Sequence, residues 1–228
     1  MKNLKALLKL DLLLLAPYKL WFLLFLGISI LLGIFMSGFG DELVGFSFII
    51  SWTIFAGTIM AFPFESIDNG NMNVLYATLP TNRKSIIAGR YLIILVILVL
   101  SLVVGIIGSL ALDLIFSNTI THQVMLLSIS LSIGLYLLAV GFQTPFLYKV
   151  GYIKGKIFMW IPIIIVNLVM LIPTVLDLFG VENPNRFSIF NVMLSNTLPA
   201  SLIALGAGAV SLIVSYILSR KIYLNKDF

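Results

Sequence analysis

Cysteine is absent from this 228-residue chain, so disulfides, thiolate metal sites and thiol redox chemistry are excluded. Histidine occurs once, as His122, and a single imidazole cannot assemble the zinc site that an intramembrane metalloprotease needs. Serines are plentiful but none has a base nearby in sequence, and no GxxxxGK[ST] phosphate loop is present. Charge is scarce as well. Asp, Glu, Lys and Arg make up 10% of the residues while hydrophobic types reach 61%, a balance that excludes a soluble domain of this length. The net charge of +5 is no nucleic-acid signal, because the basic residues are spread over four short segments. Their plainer role is topology control and attraction to anionic lipid headgroups.

What the chain has is six long apolar runs, at 20–38, 43–63, 91–115, 124–146, 157–178 and 198–219. A bilayer core of about 30 Å takes roughly 20 apolar helical residues, and each run meets that. Thirteen of the fourteen lysines and arginines fall on one side of these runs, and only Arg186 falls on the other. Basic residues stay cytoplasmic. The expected fold is therefore an all-α integral membrane protein of the plasma membrane, with six transmembrane helices and both termini cytoplasmic. Lys2, Lys5 and Lys9 lie at helical spacing with leucines on another face, so 1–17 reads as an N-terminal interfacial amphipathic helix. No small-residue cleavage site follows it, against a signal peptide. The whole of 1–228 forms one transmembrane domain.

Within the runs only Asp113 and Asp177 are charged, and both lie close to the outer end of their span. Proton-driven transporters place an ionisable group near mid-membrane, and ion channels carry a filter of carbonyls or acids; neither pattern occurs. Small residues recur four apart at Ser29/Gly33/Ser37, Ser101/Gly105/Ser109 and Ala207/Ser211/Ser215. Such stripes let helices approach closely, and internal packing is a plainer use for them than a subunit interface. In span five, Pro162 and Pro173 flank Asn167. Each proline frees a carbonyl and tends to kink its helix, leaving carbonyls for Asn167 or a neighbouring helix to satisfy. The outer connection at 179–197 is too apolar for a solvated loop, with Phe187 and Phe190 among its side chains. It reads as short helices dipping into the membrane or as an interfacial lid.

The inner segment 64–90 carries the strongest pattern. It opens with Glu65, Asp68, Asn69 and Gly70, acidic and turn-forming. A short helix is expected at 71–79, ended by Pro80, with Thr81-Asn82 as cap for the next helix. Met72, Val74, Leu75, Tyr76 and Leu79 give that short helix an apolar face on the cytoplasmic side, suited to a groove on a partner protein. Arg83 and Lys84 then stand at a helix start, against the dipole preference. A second inner loop is expected at 147–156.

Glu65, Asn69-Gly70, Leu75, Leu79-Pro80, Arg83 and Arg90-Tyr91 together resemble the permease subunits of type-2 ABC exporters, the ABC-2 membrane family. The layout is similar to theirs over nearly the whole chain, most of all to small Gram-positive permeases such as the phenol-soluble modulin exporter. Thr81-Asn82 departs from the more apolar-basic start expected there. The resemblance implies that 71–79 is a coupling helix seated on a separate ABC ATP-binding subunit, which binds ATP and Mg; no cofactor is expected in this chain, and the chain is not itself an enzyme. It implies two permeases, identical or paralogous, with two ATPases. It further implies that Met72, Leu75, Tyr76, Leu79, Pro80 and Arg83 contact the ATPase while Glu65 transmits its closure. Spans one, two and five would line the path, Pro162, Asn167 and Pro173 would permit a bend, and Phe187 and Phe190 would belong to the outer gate. The expected cargo is an amphipathic peptide, lipid-like molecule or antibiotic. Two alternatives stand beside it: an ion-coupled secondary transporter or channel, and a non-transporting immunity or sensor subunit.

Overall fold

Pro17 opens the described structure, in a 3₁₀ turn over Ala16–Tyr18 that leads straight into α1, Lys19–Ser37. The computed structural model describes residues 15–37, 43–69, 83–116, 121–178 and 188–225. The helices that follow are α2 (Leu43–Ile59), α3 (Phe62–Asn69), α4 (Arg83–Phe116), α5 (His122–Val150), α6 (Tyr152–Leu178), α7 (Ser188–Ser195) and α8 (Thr197–Leu224). Among the described residues, five helical stretches are long and apolar enough to cross a membrane, and α1 is a shorter apolar helix beside them. The chain is thus an all-α integral membrane protein. The expected helices at 1–14 and 71–79, and the Thr81-Asn82 cap, lie outside the described residues.

Two boundaries differ from the expectation. Span two does not run unbroken to Pro63: α2 stops at Ile59 and α3 starts afresh at Phe62. The proline ring conflicts with the carbonyl four residues back, that of Ile59, whereas proline is accepted in a first helical turn. Tight i→i+3 bonds bridge the break, Met60 N–H to the Gly57 carbonyl at 3.3 Å and Ala61 N–H to Thr58 at 3.0 Å. Nor is there a ten-residue inner loop at 147–156. Leu147 and Tyr148 are buried and continue α5, and a single residue, Gly151, joins it to α6. Its φ of 81° is left-handed, the region glycine enters without strain. At Arg83, where the sequence places a helix start, α4 begins and runs 34 residues. At 1.5 Å per residue that is about 51 Å, so its basic first turns project beyond a bilayer core.

At the centre stands α2, enclosed by α1, α4, α5 and α6. Its apolar window is 94% buried. The Ser101/Gly105/Ser109 stripe of α4 faces it: a Cβ at Gly105 would meet Ile49 and Trp52. On α1, Gly33 lies against Val44 and Leu112. Small-residue stripes therefore serve internal packing. Of the three spans that the resemblance gives to a path, α2 keeps almost no outward surface. Leu20, Leu23 and Leu31 on α1, and Ile157, Ile164 and Ile165 on α6, are exposed.

Against α5, the last helix α8 packs more closely than any other pair of elements. The two run parallel, since Gly134 meets Ala204, Gly141 meets Ser211, and Tyr148 meets Tyr223 in that order along both. At Gly134 the backbones touch: a Cβ there would lie 2.6 Å from the Ala204 carbonyl oxygen.

Candidate functional site at the basic end of the bundle

After the break at Ile59, two clusters of side chains hold α3. On one face Glu65, in the first turn of α3, accepts a hydrogen bond from the Tyr18 hydroxyl to Oε2 at 3.0 Å. The Tyr152 hydroxyl also hydrogen-bonds Glu65. Tyr18 precedes α1 and Tyr152 begins α6, so one carboxylate ties three elements together. Tyr18 reinforces the tie by stacking on Phe62, centroids 4.1 Å apart and planes 3° from parallel. Trp21 adds a tilted contact to the same ring at 6.2 Å. A carboxylate in a helix's first turn is favoured by the dipole, and hydrogen bonds to a charged acceptor are roughly twice as strong as neutral ones.

On the other face Phe64 packs beneath Arg90, whose guanidinium carbon lies 4.1 Å from the ring centroid. Tyr148 meets Phe64 edge-on at 4.9 Å and Tyr223 at 5.4 Å. Arg90 is 6% exposed. Burying a cation is expensive in apolar surroundings, and a desolvated cation–π contact returns about 2 kcal/mol. The neighbouring Tyr91 turns to another helix. Its hydroxyl lies 2.6 Å from Ser215 Oγ and 2.9 Å from Ser219 Oγ, and its ring meets Tyr216 edge-on at 5.2 Å. Successive residues on a helix point about 100° apart. Arg90 and Tyr91 therefore fasten α4 to α3 on one side and to α8 on the other.

The motif's described members thus converge at one end of the bundle. Arg83 begins α4 two turns before Arg90, and its side chain lies outside the described residues, as do all of Met72, Leu75, Tyr76, Leu79 and Pro80. Phe190 falls within α7, its side chain undescribed, and Phe187 lies outside. The helix α6 continues through both Pro162 and Pro173. Asn167 departs from its expected use. Its Nδ2 donates to the Ile163 carbonyl at 2.9 Å, whereas the prolines free the carbonyls of Phe158 and Val169. Its Oδ1 lies 3.4 Å from Ser51 Oγ, a long contact across to α2. Next to Pro162 the neighbouring helix does take part: Gln143 Nε2 on α5 donates to the Met159 carbonyl at 2.8 Å.

Three contributors escape sequence reasoning. Tyr18 and Tyr152 read as interfacial aromatics, which membrane proteins carry at both boundaries anyway. Gln143 reads as one polar residue among many in span four. The only signal within reach was that each tyrosine stands beside basic residues at the same membrane boundary as Glu65.

A family model described as "ABC-2 family transporter protein" matches residues 6–224 of the chain. No curated protein matches it, and no solved structure does.

Proposed function

Because this chain belongs to the ABC-2 family of transporter proteins, we propose that it is the permease subunit of an ABC exporter in which a separate ATP-binding subunit supplies the energy. It is a multi-pass protein of the plasma membrane. The proposed ATPase docks on the cytoplasmic segment after α3, with Met72, Leu75, Tyr76, Leu79, Pro80 and Arg83 as its contacts. Two permeases and two ATPases form the working unit, and ATP and Mg bind on the partner. The cargo is an amphipathic peptide, lipid-like molecule or antibiotic.

The observation that carries this reading is the joining of α3 to α1 and α6 through Glu65. Force applied to the segment beyond Asn69 reaches α3 first. The enclosed α2 gives it little freedom to slide, whereas Tyr18 and Tyr152 pass its displacement to the two helices with exposed apolar faces. Those faces are available to a second permease and to a cargo path between the copies. A path without charged mid-membrane residues suits an apolar or amphipathic cargo, which enters it without needing an ion pair.

Affinity purification of the chain from native membranes in mild detergent, followed by mass spectrometry, tests the reading. An ATPase carrying a phosphate loop is expected in equal amount. Recovery of the chain alone, together with ion-driven flux after reconstitution in liposomes, would instead establish a secondary transporter.

A further inference from the structure

Towards the end of the bundle opposite the basic residues, α5 and α8 are in backbone contact at Gly134 and Gly208, and α7 packs against both helices beside that contact. The space left is a cavity of about 460 Å³. Leu131 and Leu135 form one wall, Ile203 and Ala207 another, and Val192 and Met193 of α7 the third. Small side chains on α8 create the volume, since Ala200, Ala204 and Ala207 stand where larger residues would fill it. Its mouth is flanked by Leu138, Val192 and Ile203, all exposed. The only polar lining residue, Asn196, is exposed too, and its amide nitrogen donates to the Val192 carbonyl and Ser195 Oγ.

We propose that this cavity is a binding site for one acyl chain of an outer-leaflet phospholipid. An apolar void with no filling atoms forfeits dispersion contacts all along its walls, and apolar cavities do not recruit water. The occupant must therefore be apolar. It must also enter from the side, because the α5 and α8 backbones touch at Gly134, midway along the cavity, and leave no passage between the two helices there. The exposed apolar residues at the mouth continue along α8 as Leu202, Val210 and Ile213. That surface has lipid tails as its natural solvent. Ser195 and Asn196, exposed at the start of α8, put polar groups at the boundary level of the headgroup. An apolar slot with a polar rim matches one tail and its ester region. The slot lies on the α5–α8 side, apart from the α1 and α6 faces that the transport reading assigns to a second permease, so it stands whether or not that reading does.

The test uses the full chain in nanodiscs of phosphatidylglycerol bearing a diazirine in one acyl chain, irradiated and mapped by peptide mass spectrometry. Labelling should concentrate on 131–138 and 199–207. It should be lost in Ala207→Phe, which fills the slot, and kept in Val210→Phe, which alters only the exposed face of the same helix. Ala200→Leu fills the slot two turns away and provides a second variant if Ala207→Phe does not fold, as judged by its thermal unfolding. Equal labelling around Val99 and Val103 on α4 overturns the proposal, since it signifies ordinary boundary lipid. Labelling that survives the folded filling variant overturns it, and so do cross-links from 199–207 to a second copy of the chain.

Discussion

Replacing Glu65 with glutamine keeps an acceptor for Tyr18 and Tyr152 but removes the charge that strengthens both bonds. The expected outcome of Glu65→Gln is intact assembly with the ATPase and reduced cargo-stimulated ATP hydrolysis. The loss in tether strength is about 1 kcal/mol, the difference between charged and neutral hydrogen bonds. Tyr152→Phe should give a similar reduction, and the double variant should fall short of the sum because both changes weaken one contact. Wild-type ATP hydrolysis in Glu65→Gln would make the carboxylate a mere helix-start acid. At Gly134 the constraint is steric. Alanine there would push a Cβ against the Ala204 carbonyl at 2.6 Å, and a rigid backbone cannot yield. Gly134→Ala should destabilise by about 1–3 kcal/mol, whereas Gly206→Ala, with nothing within 4 Å, should be tolerated. Thermal unfolding in one detergent compares the pair directly.

Element by element, the long apolar helices were legible because hydropathy depends on composition alone. The stripe Ser101/Gly105/Ser109 likewise announced the face that α4 turns inward. Junctions were harder. Whether Pro63 breaks span two depends on where the first turn of the next helix falls, and whether 147–156 is a loop depends on the burial of Leu147 and Tyr148 by helices distant in sequence. The carboxylate tether was half legible: Glu65 stood out as a motif residue, but its tyrosines come from segments 47 residues earlier and 87 later. The apolar helix expected at 71–79 makes its own prediction. Leu75→Asp combined with Leu79→Asp should abolish co-purification of the ATPase, since charges in an apolar groove are costly. Normal recovery from that double variant would remove the coupling assignment.

For the whole molecule, the absence of cysteine turns into a practical advantage, because every introduced thiol reports alone. A cysteine at His122 should react with an impermeant maleimide on intact cells, and one at Asn225 only after permeabilisation; the reverse pattern would invert the topology. The central position of α2 bears on how such a bundle is made. The most enclosed helix, α2, precedes α4, α5 and α6 in the chain, so it must sit in lipid while those three are still being synthesised. Its hydroxyl groups are prepared for that interval. Ser47 donates to the Val44 carbonyl, Thr53 to Ile49 and Thr58 to Phe55, each within α2 itself. None of these three needs a partner from another helix, so these hydroxyls enter the bilayer already satisfied. Ser51 reaches across to Asn167 on α6, and so its polar contact is completed only when that later helix arrives.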